Sequence, residues 1–149
     1  MMRPTRGLFV TMACLVLEAQ SGELCYATGG HLPMLRRSGG TPDVEILYGD
    51  KGLPLGIEKD SMLVDRKIQL APGDTLLLVT DGIVEALGPD RTVFTMEKLA
   101  EIFRQQGSGA SQLVEDIFEV IGRISPVPPE DDLTVLAVAW TPQRTGVRE

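Results

Sequence analysis

Three acids in this sequence stand where carboxylates are able to do chemistry rather than keep a surface wet. Asp81 closes the apolar run Leu76–Val79 and is followed by Gly82, within the stretch TLLLVTDGIVEA (Thr75–Ala86). A carboxylate at the mouth of a buried strand, beside a residue that permits tight backbone geometry, can present an oxygen ligand or a reactive acid. It can equally cap the turn that follows. Asp131 and Asp132 stand just before a second apolar run, Leu133–Trp140 (LTVLAVAW), and read either as ligands or as a solvated acidic loop. If the two runs are antiparallel neighbours, the acids meet at one edge of the sheet. Like charges that close repel unless a cation compensates them. Oxygen donors without a Cys or His cluster favour Mg²⁺ or Mn²⁺ over zinc or copper. His31 is the only histidine and invites a general-acid role, since imidazole titrates near neutrality. A lone His at a strand break is more often bonded to backbone, and the structural reading is the favoured one.

The elements that must position these residues follow from hydrophobic period and turn chemistry. Leu8–Leu17 is apolar at nearly every position and predicts a central strand; Ser21-Gly22 turns it back into Glu23–Thr28. Gly29-Gly30-His31 break the pattern, Leu32–Arg36 resumes it, and Ser38-Gly39-Gly40 turns again toward a short strand at Val44–Leu47. Asp50–Ile57, rich in Gly and Pro, reads as a loop, and Ser61–Leu70 as a strand. Pro72-Gly73-Asp74 is a turn signal, and Leu76–Val79, without a polar break, predicts a strand buried on both faces. Beyond Asp81-Gly82 the period changes. Thr95 is placed to cap a helix with Leu99, Ile102 and Phe103 on one face. Ser111 is placed to cap a second, with Leu113, Ile117, Val120, Ile121 and Ile124 at helical spacing; Pro126, Pro128 and Pro129 end it. A meander of strands, a strand, two helices and a last strand is not the alternation of a parallel sheet, and predicts an α+β layered fold. The same order argues against a phosphoacceptor role for Asp81, which would need a parallel doubly wound sheet.

With 149 residues the chain suffices for one domain, expected over 1–140, with a polar tail over 141–149. A net charge of −7 argues against nucleic acid and anionic membrane surfaces as partners. Cys14 and Cys25 lie in apolar stretches and are expected to be buried, reduced thiols of a cytoplasmic protein. MMRPTR followed by GLFVTMACLVL has the outline of a signal peptide, but the apolar core is short and runs on into a hairpin, so export is not expected.

TDGIVEA followed by DDLTVL, together with LCYATGGHLPML (Leu24–Leu35), GLPLGI (Gly52–Ile57) and LAPGDTLLLVTDG (Leu70–Gly82), resembles the C-terminal half of the metal-dependent serine/threonine phosphatases of the stage II sporulation protein E type. These are the bacterial branch of the protein phosphatase 2C-like superfamily. The likeness runs in order from about Phe9 to Ala139. It implies two packed antiparallel sheets with helices outside each, and two Mg²⁺ or Mn²⁺ ions held by acids. Carried over by motif, Asp81 and Asp131 are ligands, Asp132 orients the loop, Gly82 supplies backbone geometry, and Glu85 and His31 support the site. The family's first Asp-Gly motif, which bridges both metals, has no counterpart here, since MMRPTRG contains no acid. The resemblance thus implies the later part of a phosphatase domain, lacking one helical layer and holding one cation weakly or none. The substrate it implies is a phosphorylated regulatory protein, such as an anti-sigma-factor antagonist. A bare sheet face would favour a homodimer. The competing reading is a phosphatase-like module that binds such a partner without turnover.

Overall fold

The computed structural model describes residues 8–49, 52–58, 62–85, 95–106, 109–125 and 132–142. In chain order the elements are β1 (Met12–Leu17), β2 (Glu23–Gly29), β3 (Met34–Arg37), β4 (Val44–Leu47), β5 (Arg66–Gln69), β6 (Thr75–Val79), α1 (Asp81–Glu85), α2 (Met96–Gln105), α3 (Ala110–Ile124) and β7 (Val135–Ala139). Every pairing between these strands is antiparallel, in one sheet ordered β1-β2-β5 and another ordered β4-β3-β6-β7. The α+β class with two antiparallel sheets is therefore as expected. The chain divides into two compact units, one holding each sheet, and the helices all belong to the unit with the four-stranded sheet.

In that unit β6 lies between β3 and β7, and all five of its residues are buried, as an unbroken apolar run requires. Leu77 and Val79 share a face by strand alternation. They join Leu35, Ile83, Leu99, Phe103, Leu113, Ile117 and Ile121 in one core, so the apolar stripes of α2 and α3 close that side. Thr95 caps α2 as expected, its hydroxyl accepting from Lys98 N at 3.3 Å. Ser111 does not cap α3. The cap is Gly109, at φ 127°, whose carbonyl accepts from Leu113 N at 3.0 Å. Glycine takes that left-handed geometry without a Cβ penalty, which moves the helix start upstream of the serine. The five-residue α1 is a further departure, because DGIVE is too short for a helical period to be visible.

In the other unit β1 is shorter than Leu8–Leu17 and stands at the sheet's edge, with β2 at the centre. Its burial alternates, and Cys14 is exposed rather than buried; Cys25 is half-buried, and both thiols are free. No helix belongs to this unit among the described residues. Its sheet carries an exposed ion pair between Lys67 and Glu23 at 3.0 Å. Exposed apolar side chains are spread over this unit, at Leu8, Phe9, Val10 and Val16 on and before β1 and at Tyr48, Leu53, Ile57, Met62 and Val64 elsewhere.

The least expected residue is Asp74, read from sequence as part of a turn. Its exposure is 0%, and its carboxylate accepts from Arg36 Nε at 2.9 Å and Nη2 at 2.6 Å, from Gly39 N at 3.0 Å and from Ala71 N at 3.0 Å. Burial by itself would push this carboxyl up. The two backbone N–H groups and the Arg36 guanidinium outweigh it and hold the group below the usual carboxylate range. A depressed carboxyl contributes stability that is fully present above its unfolded value, about pH 3.9, and is lost as pH falls through the folded one. Removing one partner of a buried pair costs roughly 3–5 kcal/mol. We expect Asp74→Asn to lose about that much at pH 7, and the gap from the parent to shrink below about pH 4. Urea unfolding read by Trp140 fluorescence checks both. Trp140 is the single tryptophan, and its backbone N–H donates to Asp74 O at 3.0 Å. A gap that stays constant into acid would remove Asp74 as the titrating group.

Candidate metal centre

The register Val79↔Val135 continues past both strands, so the residues after β6 face those before β7. Thr80 N donates to Thr134 O at 3.1 Å. The Thr80 hydroxyl accepts from Thr134 N at 2.9 Å and donates to Asp132 O at 3.2 Å. Thr80 thus bolts the TDG stretch to the DDLT stretch three times over. Sequence reasoning gave it no role. The one available signal was a threonine at the β-strand end of each acidic motif.

Immediately beyond this clamp, Asp81 opens α1, exposed, with its Oδ1 accepting from Gly82 N at 3.1 Å. Gly82 is buried, and a Cβ built on it would lie 2.7 Å from Asp132 O and 3.1 Å from Leu133 Cδ2. Glycine is therefore required by the close approach of two backbones. Asp132 is exposed and sits across from Gly82 in the extended register. The structure brings Asp81, Gly82 and Asp132 to one end of the four-stranded sheet, as the antiparallel reading anticipated. Glu85 closes α1. Asp131 lies outside the described residues. His31 follows β2 in the other unit and is half-buried. Just before it Gly30, at φ 66°, occupies a position where a Cβ would strike the Pro54 ring at 2.4 Å.

Among the described residues no three His, Cys, Asp or Glu side chains form a cation cage. What this end of the sheet offers is a pair of exposed carboxylates and a backbone carbonyl beside the hydrogen-bonded Thr80 clamp, a donor set of oxygens alone that fits a hard divalent cation. No described helix is long and apolar enough to cross a membrane.

A sequence-family model for stage II sporulation protein E (SpoIIE) matches residues 1–141. Protein IcfG of Synechocystis sp. is 27% identical over 133 residues, which is 89% of this chain and 21% of that protein. The RsbU and RsbW domains of Rv1364c from Mycobacterium tuberculosis share the fold with a TM-score of 0.71 and 28% identity, over 93% of this chain and 39% of that one. The phosphatase domain of SpoIIE from Bacillus subtilis, in a crystal form without domain swapping, gives a TM-score of 0.74 at 21% identity, a likeness of fold alone. It is covered over 59% of its length by 93% of this chain. The chain thus spans about a fifth of the first of these proteins and under two thirds of the others.

The Gly82 contact is testable against a second glycine. Gly82→Ala should cost about 1–3 kcal/mol, the range for forcing atoms into a filled space, and should displace the Asp132 backbone. Gly122, exposed in α3 with nothing within 4 Å of a built Cβ, should gain about 0.5–1 kcal/mol on substitution by Ala. Urea unfolding of the two variants side by side reads the difference. Equal responses would show that the backbones do not meet at Gly82.

Proposed function

Because the chain belongs to the stage II sporulation protein E family, we propose that it is the later part of a metal-dependent serine/threonine phosphatase domain. Residues 1–140 make up the C-terminal part of a single phosphatase-type domain, followed by a polar tail over 141–149. The observation that supports this reading best is the pairing of β6 with β7, which sets the TDG stretch against the DDLT stretch. In this reading Asp81 and Asp131 are the carboxylates that take a Mg²⁺ or Mn²⁺ ion. Asp132 braces the loop through its backbone carbonyl, and Gly82 lets the two backbones close. Glu85 is a supporting acid, and His31 has a structural role. Such cations, when bound in pairs, supply an activated water and neutralise phosphoryl oxygens. The chain's own part is to hold its carboxylates still: Gly82 N fixes Asp81 Oδ1, and Thr80 locks the facing strand.

The substrate is a phosphoserine or phosphothreonine on a regulatory partner protein of the anti-sigma-factor antagonist kind, in the cytoplasm. The sheet face that no described helix covers is the surface through which the chain pairs with a second copy. Mg²⁺ and Mn²⁺ prefer about six oxygen ligands, and a two-metal site needs a bridging group at a working separation of about 3.5–4 Å. Asp81 and Asp131 anchor one cation without bridging two. These 149 residues alone should therefore bind Mn²⁺ weakly and hydrolyse p-nitrophenyl phosphate barely above background, even in excess Mn²⁺. Fusing an upstream segment that carries the bridging Asp-Gly motif should restore turnover, and Asp81→Asn should then abolish it. Strong Mn²⁺-dependent turnover by the chain unaided, lost in Asp81→Asn, would falsify the incomplete-site argument while upholding the phosphatase. Silence of the fused chain would favour the partner-binding module.

A further inference from the structure

Beyond Val79 and Val135 the ladder of β6 and β7 has one further rung, and its acceptor is a side chain. In an antiparallel pair, two residues facing each other at a bonded position exchange both N–H···O=C bonds. Thr80 and Thr134 continue the register Val79↔Val135, and Thr80 N donates to Thr134 O at 3.1 Å. The return bond, from Thr134 N, goes to the Thr80 hydroxyl at 2.9 Å. The Thr80 carbonyl is engaged along the chain, accepting from Ile83 N at 3.1 Å and closing the turn that holds Asp81 and Gly82. One residue thus ends the sheet with its side chain and starts α1 with its backbone.

A hydroxyl does more in this place than a carbonyl does, because it donates as well as accepts. Besides taking the Thr134 N–H, the Thr80 hydroxyl donates to Asp132 O at 3.2 Å. Asp132 O is also the atom that a Cβ on Gly82 would meet at 2.7 Å. The residues on both sides of Asp81 are therefore set against the Asp132 backbone, Thr80 by a hydrogen bond and Gly82 by contact. The Asp81 carboxylate accepts from Gly82 N, a bond inside the same turn, so it goes where the turn goes. Strand preference would explain a β-branched residue at this position, but valine satisfies that preference equally. The hydroxyl is what threonine adds.

We propose that Thr80 is a positioning residue, whose hydroxyl replaces its own carbonyl in the ladder and thereby places the Asp81 carboxylate against the Asp132 backbone. The bearing of this on metal rests on the reading of Asp81 and Asp131 as ligands; the exchange of hydroxyl for carbonyl does not. Groups that orient metal ligands without touching the metal govern affinity by roughly 10–100-fold. Coupling is reciprocal, so a cation held by the two stretches should in turn reinforce the rung.

The test compares the full chain with Thr80→Val and Thr80→Ser, each checked for folding by circular dichroism. Without metal, amide exchange read by NMR should be about tenfold faster at Thr134 in Thr80→Val, the factor for one lost hydrogen bond. Exchange at Leu136, on the next bonded rung with Leu78, should not change, whereas a general loss of stability would speed both. Thr80→Ser should restore the parent rate. Mn²⁺ should broaden the Gly82 amide of the parent but not of Asp81→Asn, and Thr80→Val should need roughly 10–100-fold more Mn²⁺ for the same effect. Mg²⁺ should slow exchange at Thr134 of the parent more than at Leu136. That comparison needs no variant and decides the coupling even if Thr80→Val does not fold, since equal slowing overturns it. Equal Thr134 exchange in the parent and Thr80→Val, or equal acceleration at Leu136, overturns the proposal whatever the metal does. Mn²⁺ binding that Thr80→Val leaves unchanged overturns the positioning of the metal site alone. A parent whose Gly82 amide stays sharp in Mn²⁺ overturns the ligand reading above, and the rung is then upheld or overturned by the metal-free exchange.

Discussion

The Asp74 carboxylate lies fully buried where three stretches of backbone meet, and its two oxygens hold all three. Arg36 reaches it from β3, Gly39 N from the turn after β3, and Ala71 N from the approach to β6. A charge taken out of water is tolerable only when its lone pairs are filled, so the three stretches cannot drift apart without exposing an orphan. The consequence travels along β3. Successive strand residues point to opposite sides, and Arg37, next to Arg36, donates instead to Phe103 O and Gln106 O, both at 2.7 Å. Its guanidinium lies 4.7 Å above the Phe103 ring. Desolvation lowers the Arg37 pKa, a penalty met by carbonyls at the end of α2 that have no helical partner. Two consecutive arginines therefore tie the sheet to a turn on one side and to a helix on the other.

This anchoring fixes the β3–β6 register, Arg36 opposite Leu76 and Arg37 opposite Thr75, and β6 carries it to the acidic end. The carboxylate of Asp81, just beyond the far end of the same strand, accepts from Gly82 N at 3.1 Å. One strand thus joins the buried Asp74 to the exposed acidic end. From sequence, Asp74 looked like any Asp after Pro-Gly, because local turn preference and long-range pairing leave the same letter. Only the partner 38 positions away, Arg36, separates the two cases.

Much of the fold was legible where one physical period dominates. Leu76–Val79 read as a strand covered on both sides because nothing polar interrupts it, and the stripes of α2 and α3 because Leu99, Phe103, Leu113 and Ile117 recur at helical spacing. Boundaries set by backbone geometry were not. Gly109 displaced Ser111 as the α3 cap, and α1 was too short to have a period. At the acidic end the residue types and their convergence were readable from two motifs flanking two apolar runs. The Thr80 clamp and the packing of Gly82 on Asp132 O were not, since both depend on the distance between backbones remote in sequence.

The misplacement of β1 has a different origin. A strand apolar at nearly every position is the pattern of one covered on all sides, and that is why Leu8–Leu17 read as central. Among the described strands it is an edge, with Cys14 and Val16 facing water. Local sequence and position disagree here, whereas at β5, a true edge by composition, they agree. Sequences that fold uniquely keep these levels consistent. At β1, then, the apolar pattern and the position among the described strands part, because period reports burial of side chains and not which backbone edge is paired.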